Sequence, residues 1–237
     1  GDFGLDDYID YLREFYHVLA GKRPFHVVAV CQPGVPALIA CALESARAKD
    51  LSRALPKTLT IMSAPIDTRI APTIVNEHAN KKSMRDFERV LQEVPPMYEG
   101  VGRMVCPGYV QHGSFVGMNL DDHMRAHAKH YFNMLRGDQD PKHVDFYNEY
   151  NSYLDMAGTY FLDTIRLVFK EHALPNGTWE VRGERVDLGA IKRVALLTIG
   201  GVDDDIVSPE QTHCAHDLCT QIPKRLRKKF TAPCGHY

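Results

Sequence analysis

Phe25-His26-Val27-Val28-Ala29-Val30-Cys31-Gln32-Pro33-Gly34 is the stretch on which the reading of this chain turns. An apolar run ends on one cysteine, and Gln-Pro-Gly leads into apolar positions at Val35, Leu38, Ile39, Ala42 and Leu43, which carry helical spacing. The pattern predicts strand, sharp turn and helix, with the sulfur at the bend. Such a bend lifts one side chain above the carboxyl edge of a sheet and points the first N–H groups of the next helix beside it. A nucleophile placed there meets donors for the negative charge its attack creates. A buried thiol at a strand end is the plainer alternative, so the rest of the chain has to decide.

The totals exclude several classes of protein. The chain has 237 residues, 44% hydrophobic and 24% charged, enough for a substantial core. A net charge of -2 gives no overall basic field for nucleic acid. The local run Lys224, Arg225, Arg227, Lys228 and Lys229 reads as a solvated helix end. Cys31, Cys41, Cys106, Cys214, Cys219 and Cys234 form no C-x-x-C pair, so the sequence calls for neither a zinc knuckle nor a disulfide framework, and reduced thiols are expected. No apolar run approaches the roughly 18 residues of a membrane span. His123, His127 and His130 share one helical face but lack an H-E-x-x-H pattern and stand beside Arg125 and Lys129. They read as a polar face, and no metal or cofactor is expected.

Outward from the opening stretch, Asp2 to Leu19 repeats apolar positions at Leu5, Tyr8, Ile9, Leu12, Phe15, Tyr16 and Leu19, an amphipathic helix stopped near Gly21 and Pro24. The helix after Cys31 is expected to run to about Lys49. Thr58 to Ser63 is a second apolar strand, so strand, helix and strand make a βαβ unit and a parallel sheet. From about Ala71 to Asn176 the pattern turns helical, with helices expected over Met84–Leu91, Leu120–Leu135 and His143–His172 and many aromatic residues. Residues 81–176 therefore read as a helical lid inserted into an α/β core of residues 1–80 and 177–237. Trp179 to Val186 alternates around Gly183 as a hairpin, Val194 to Ile199 restores the strand pattern, Pro209 to Gln221 reads as a helix, and Lys228 to Ala232 as the last strand.

Three strand ends then carry a cysteine, an acidic cluster and a Gly-His. Nucleophile, acid and histidine in that chain order characterise the α/β-hydrolases. A free thiol is only slightly ionised at neutral pH, and an adjacent imidazole supplies the missing basicity. His236 is the candidate base. A carboxylate on its far nitrogen would fix the tautomer and stabilise the imidazolium. The spacing G-x-x-D-x-I-V selects Asp204, with Asp203 and Asp205 as alternatives one residue away. The backbone N–H of Gln32, next after Cys31, is the expected oxyanion donor.

With these residues in view, the sequence resembles the intracellular poly(3-hydroxybutyrate) depolymerases. The likeness rests on Phe3 to Tyr11, on Ala29-Val30-Cys31-Gln32-Pro33, on Pro65 to Ile70, on Met118-Asn119-Leu120-Asp121, on Arg136-Gly137-Asp138 and on Gly235-His236-Tyr237. It implies an α/β-hydrolase with Cys31, Asp204 and His236 as catalytic residues. It also implies cleavage of short-chain polyhydroxyalkanoate esters at storage granules in the bacterial cytoplasm, the polymer or granule surface being the partner. Pro33 departs from the pattern, since a small residue usually follows the nucleophile by two. The family also has strands before the helix at Leu5, which are missing here, so the chain is expected to be cut at both ends and its first strand to have an open edge. A synthase-like acyltransferase and a granule-binding module without catalysis are the competing readings.

Overall fold

The structure is a computed structural model that describes residues 2–20, 23–47, 55–138 and 140–236. The expected helix end at Lys49, the breaker Gly21 and the terminal Tyr237 lie outside the described residues. The chain divides into two compact units. Residues 85–161 form most of the smaller one, and residues 3–84 with 162–237 the larger.

The larger unit is built on a four-stranded sheet whose order follows the chain: β1 (His26–Val30), β2 (Thr58–Met62), β3 (Ala195–Gly201) and β4 (Arg227–Ala232). All neighbouring pairs run parallel, as the βαβ pattern predicts. The register aligns Val30 with Met62, Met62 with Ile199 and Ile199 with Phe230, so the turns that follow the strands emerge along one edge. Inner strands β2 and β3 alternate, burying Leu59 and Ile61, then Leu196 and Thr198. Among the described residues β1 pairs with β2 alone, and Val28 and Val30 stand 64% and 53% exposed while Ala29 is buried.

Helix α1 (Leu5–Ala20) buries Leu5, Ile9 and Tyr16, and helix α2 (Gly34–Arg47) buries every residue from Gly34 to Ser45. α2 packs against β1 and β2 and against α1, which explains a burial far wider than one stripe. Between the helices, Arg13 Nε donates to the buried Glu44 carboxylate at 2.7 Å. That partner makes a carboxylate in the core tolerable.

The turn that enters α2 depends on backbone space. A Cβ on Gly34 would lie 2.3 Å from Ala64 Cβ and 2.9 Å from Ile61 Cγ2. The small residue the elbow needs for close approach thus sits one position after Pro33. At the hairpin, Glu180–Val181 pairs with Glu184–Arg185 around Arg182 and Gly183, both at positive φ, as a primed two-residue turn requires.

Several expected helices are shorter than the periodicity implies. His143 to His172 divides into a helix Pro141–Tyr150, a short strand Met156–Ala157, a helix Gly158–Thr164 and a π-helix Ile165–Lys170. Met156 and Ala157 pair with Val105 and Cys106, so ladder bonds replace a helical turn there. Pro209 to Gln221 is likewise two pieces, Pro209–His213 and Ala215–Leu218. In the smaller unit, the histidines of the Leu120–Leu135 helix also contact the helix Pro141–Tyr150, His127 while staying exposed. His123 contacts the hydroxyls of Tyr147 at 2.9 Å and Tyr150 at 3.2 Å, and His130 stacks on His143 with ring centres 4.1 Å apart.

Candidate active site

β1 ends at Val30, and the next residue, Cys31, takes φ = 62°. The left-handed region costs a residue with a side chain ~1–2 kcal/mol, so the surroundings must hold it. They do so from both sides. The Cys31 N–H donates to the Met62 carbonyl at 2.7 Å, and the Cys31 carbonyl accepts from the Gly34 N–H at 3.0 Å. That second bond fixes the peptide plane that also carries the Gln32 N–H, leaving a half-buried thiol at the bend.

After β3, Gly201-Val202-Asp203-Asp204-Asp205 turns at the same edge. Asp203 and Asp205 are exposed, whereas the Asp204 side chain is wholly buried. Asp204 Oδ1 accepts the N–H groups of Ile206 at 3.0 Å and Val207 at 2.8 Å. Gly201 makes room for this turn, because a Cβ there would meet the Cys234 carbonyl at 2.5 Å. After β4, the Asp203 N–H donates to the Cys234 carbonyl at 3.1 Å, and the chain delivers His236.

His236 Nδ1 lies 2.8 Å from Asp204 Oδ2 and 3.0 Å from Oδ1. The Cys31 thiol lies near enough to the same imidazole to favour its charged form. Burial opposes the Asp204 charge. The hydrogen bonds from His236, the Val207 N–H and the Ser63 hydroxyl, with the imidazolium charge, outweigh it and hold the carboxyl below its ordinary range. Burial likewise works against the imidazolium, but the bonds to Asp204 and Cys31 and their negative charge raise His236 to about 10. The structure therefore brings Cys31, His236 and Asp204 together and leaves Asp203 and Asp205 on the surface.

Two contacts of this site leave no mark in the sequence. Ser63, which follows β2 at φ = 44°, stands near Asp204 and helps to hold its charge. Gln32 Nε2 donates to the Thr164 hydroxyl at 3.0 Å. The positions of both at pattern changes are the nearest thing to a signal. Among the described residues, no group of three His, Cys, Asp or Glu side chains is arranged to hold a metal ion, and no helix is long and apolar enough to cross a membrane.

The parallel sheet with its strand-to-helix elbow defines an α/β-hydrolase fold, and a solved structure shares it. The Bacillus megaterium epoxide hydrolase solved with an inhibitor superposes with a TM-score of 0.50 at 12% identity, covering 99% of this chain and 70% of that one. A monoacylglycerol lipase of Paleococcus ferrophilus gives 0.49 at 9% identity over 100% and 68% of the two chains. The esterase domain of a Rhodothermus marinus protein gives 0.40 at 10% identity over 96% and 60%. This chain thus spans between 60% and 70% of the length of these three. No curated protein registers as a relative by sequence. Residues 63–237, well over half of the chain, match the family described as PHB de-polymerase C-terminus, and the chain belongs to that family. Asp204 and His236 fall inside the matched residues, and Cys31 precedes them.

Proposed function

We propose that this site hydrolyses ester bonds of short-chain polyhydroxyalkanoate, poly(3-hydroxybutyrate) being the expected polymer, through Cys31, His236 and Asp204. The observation that carries the reading is the imidazole of His236, bonded to the buried Asp204 at 2.8 Å along the sheet edge where Cys31 follows β1. An imidazole beside a thiol supplies the basicity the thiol lacks, and the Asp204 carboxylate stabilises the imidazolium that forms.

In this mechanism the Cys31 sulfur attacks the ester carbonyl while His236 accepts the thiol proton. Charge gathers on the carbonyl oxygen, where the Gln32 N–H donates. Collapse expels the alkoxide of the neighbouring hydroxyacyl unit, which takes the proton from His236 and leaves an acyl-thioester. Water then attacks that thioester with His236 as base, releasing a carboxylic acid and restoring the thiol. Asp204 keeps Nδ1 protonated and its ring aimed throughout. Family membership supports the polymer as substrate, and with it a place at storage granules in the bacterial cytoplasm.

The test is release of 3-hydroxybutyrate from amorphous granules by the full-length protein. Cys31→Ala is expected to abolish it, and undiminished release by that variant would overturn the assignment. Coenzyme-A-dependent polymer growth would instead favour acyl transfer, and granule binding without turnover by the unmodified protein would favour a binding module.

A further inference from the structure

The residue after the nucleophile has a side chain as well as an N–H, and its anchor comes from 132 positions further along the chain. Gln32 Nε2 donates to Thr164 Oγ1 at 3.0 Å, and Thr164 is itself only 6% exposed. Thr164 ends the helix Gly158–Thr164, where the backbone passes into the π-helix Ile165–Lys170. The wider turn is visible at its exit, where the Glu171 N–H donates to the Arg166 carbonyl five residues back. π-Turns inside helices are uncommon and concentrate at functional sites.

This segment is pinned on both sides of Thr164. Asp163 Oδ2 accepts the Leu5 N–H at 3.3 Å at the start of α1. Further on, Thr68 donates to the Val168 carbonyl at 3.4 Å and contacts His172 Nδ1 at 3.1 Å. Residues 163–172 therefore tie together the turns that follow the adjacent strands β1 and β2.

We propose that Thr164 is a positioning residue for the oxyanion hole: by holding the Gln32 side chain, it reinforces the Cys31–Gly34 backbone bond that sets the direction of the Gln32 N–H toward the reacting carbonyl. The inference rests on the reading of Cys31 as nucleophile. Removing one oxyanion donor outright costs about 10²–10³-fold in kcat, so an intact donor that has lost its brace is expected to cost roughly tenfold. The loss falls on kcat because the oxyanion exists only in the transition state.

The experiment compares Thr164→Val, which keeps the shape and removes the hydroxyl, with Thr164→Ser, which keeps the hydroxyl, in the full-length protein. A soluble p-nitrophenyl butyrate assay reports kcat and KM, and iodoacetamide labelling of Cys31 reports the nucleophile, since that displacement forms no oxyanion. Thr164→Val is expected to lower kcat about tenfold with KM and labelling rate within twofold, and Thr164→Ser to restore at least half of kcat. Should Thr164→Val fail to fold, Gln32→Leu removes the same bond from the other side and is expected to show the same tenfold loss. Unchanged kcat in Thr164→Val or in Gln32→Leu would overturn the proposal, as would a labelling rate that falls in step with kcat. An active Cys31→Ala variant would instead defeat the mechanism itself.

Discussion

Helix α2 and the Leu120–Leu135 helix are of similar length, fourteen and sixteen residues, yet twelve of the first are buried and none of the second. The difference lies in what each packs against. α2 meets strands and another helix and carries apolar or small residues nearly all round, whereas Leu120–Leu135 is rich in charge and leaves Leu120, Met124, Tyr131 and Leu135 exposed. Close packing resists displacement, so a side chain aimed from the start of α2 stays aimed. The site accordingly grows from the densely packed unit, and Cys31 can be held at a strained φ because the neighbouring turns are rigid.

That contrast predicts how substitutions rank. Asp204→Asn should lower kcat by about 10²–10⁴-fold, since the imidazole loses the carboxylate that orients it, while Asp203→Asn and Asp205→Asn stay within about twofold. Steady-state kinetics of the three separates them, and equal losses would erase the distinction between the buried and exposed aspartates. Gly34→Ala should cost ~1–3 kcal/mol in denaturant unfolding, because its methyl would overlap Ala64 and Ile61. A neutral result would show that the elbow can shift, contrary to the rigidity claimed for it.

pH acts in opposite directions on the histidines of the helical unit and on His236. Burial and neighbouring imidazoles lower His143, and burial with His127 lowers His123, so their neutral forms favour the folded helical unit. Their contribution is present above the ordinary histidine value of about 6.5 and is lost as pH falls below it. Amide exchange over residues 120–150 should quicken between pH 7.5 and 5.5. His236 is raised, so its contribution is complete below about 6.5 and fades as pH climbs toward about 10. The stability gap between the wild type and His236→Gln should narrow over that alkaline range, and a constant gap would contradict the pairing with Asp204. Smallest of all, Leu120→Gln and Met124→Gln should change unfolding free energy by no more than about 0.5 kcal/mol, because neither side chain is buried.

The parallel sheet was legible because Val27 to Val30, Leu59 to Met62 and Ala195 to Ile199 are short apolar runs bounded by breakers, and such runs admit few arrangements. The α/β-hydrolase class and the depolymerase family read from the motifs agree with the comparisons. Cys31, Asp204 and His236 could be singled out because each stands where a strand pattern stops. The contacts of Ser63 and Thr164 could not, since a polar bond between distant residues leaves no period in the sequence. Nor could the interruption near Asn151, where helical spacing continues but pairing of Met156 with Cys106 wins. The shift of close packing from Pro33 to Gly34 was equally hidden, because it depends on how near α2 lies to Ala64.

The central claim is covalent, and rapid quenching tests it most directly. The full-length protein is mixed with a soluble oligomeric ester of 3-hydroxybutyrate, acid-quenched during turnover and digested for peptide mass analysis. The account predicts a hydroxyacyl mass on the peptide that carries Cys31, absent from Cys31→Ala, which should not turn over. Acylation of a different residue, together with wild-type turnover by Cys31→Ala, would contradict it.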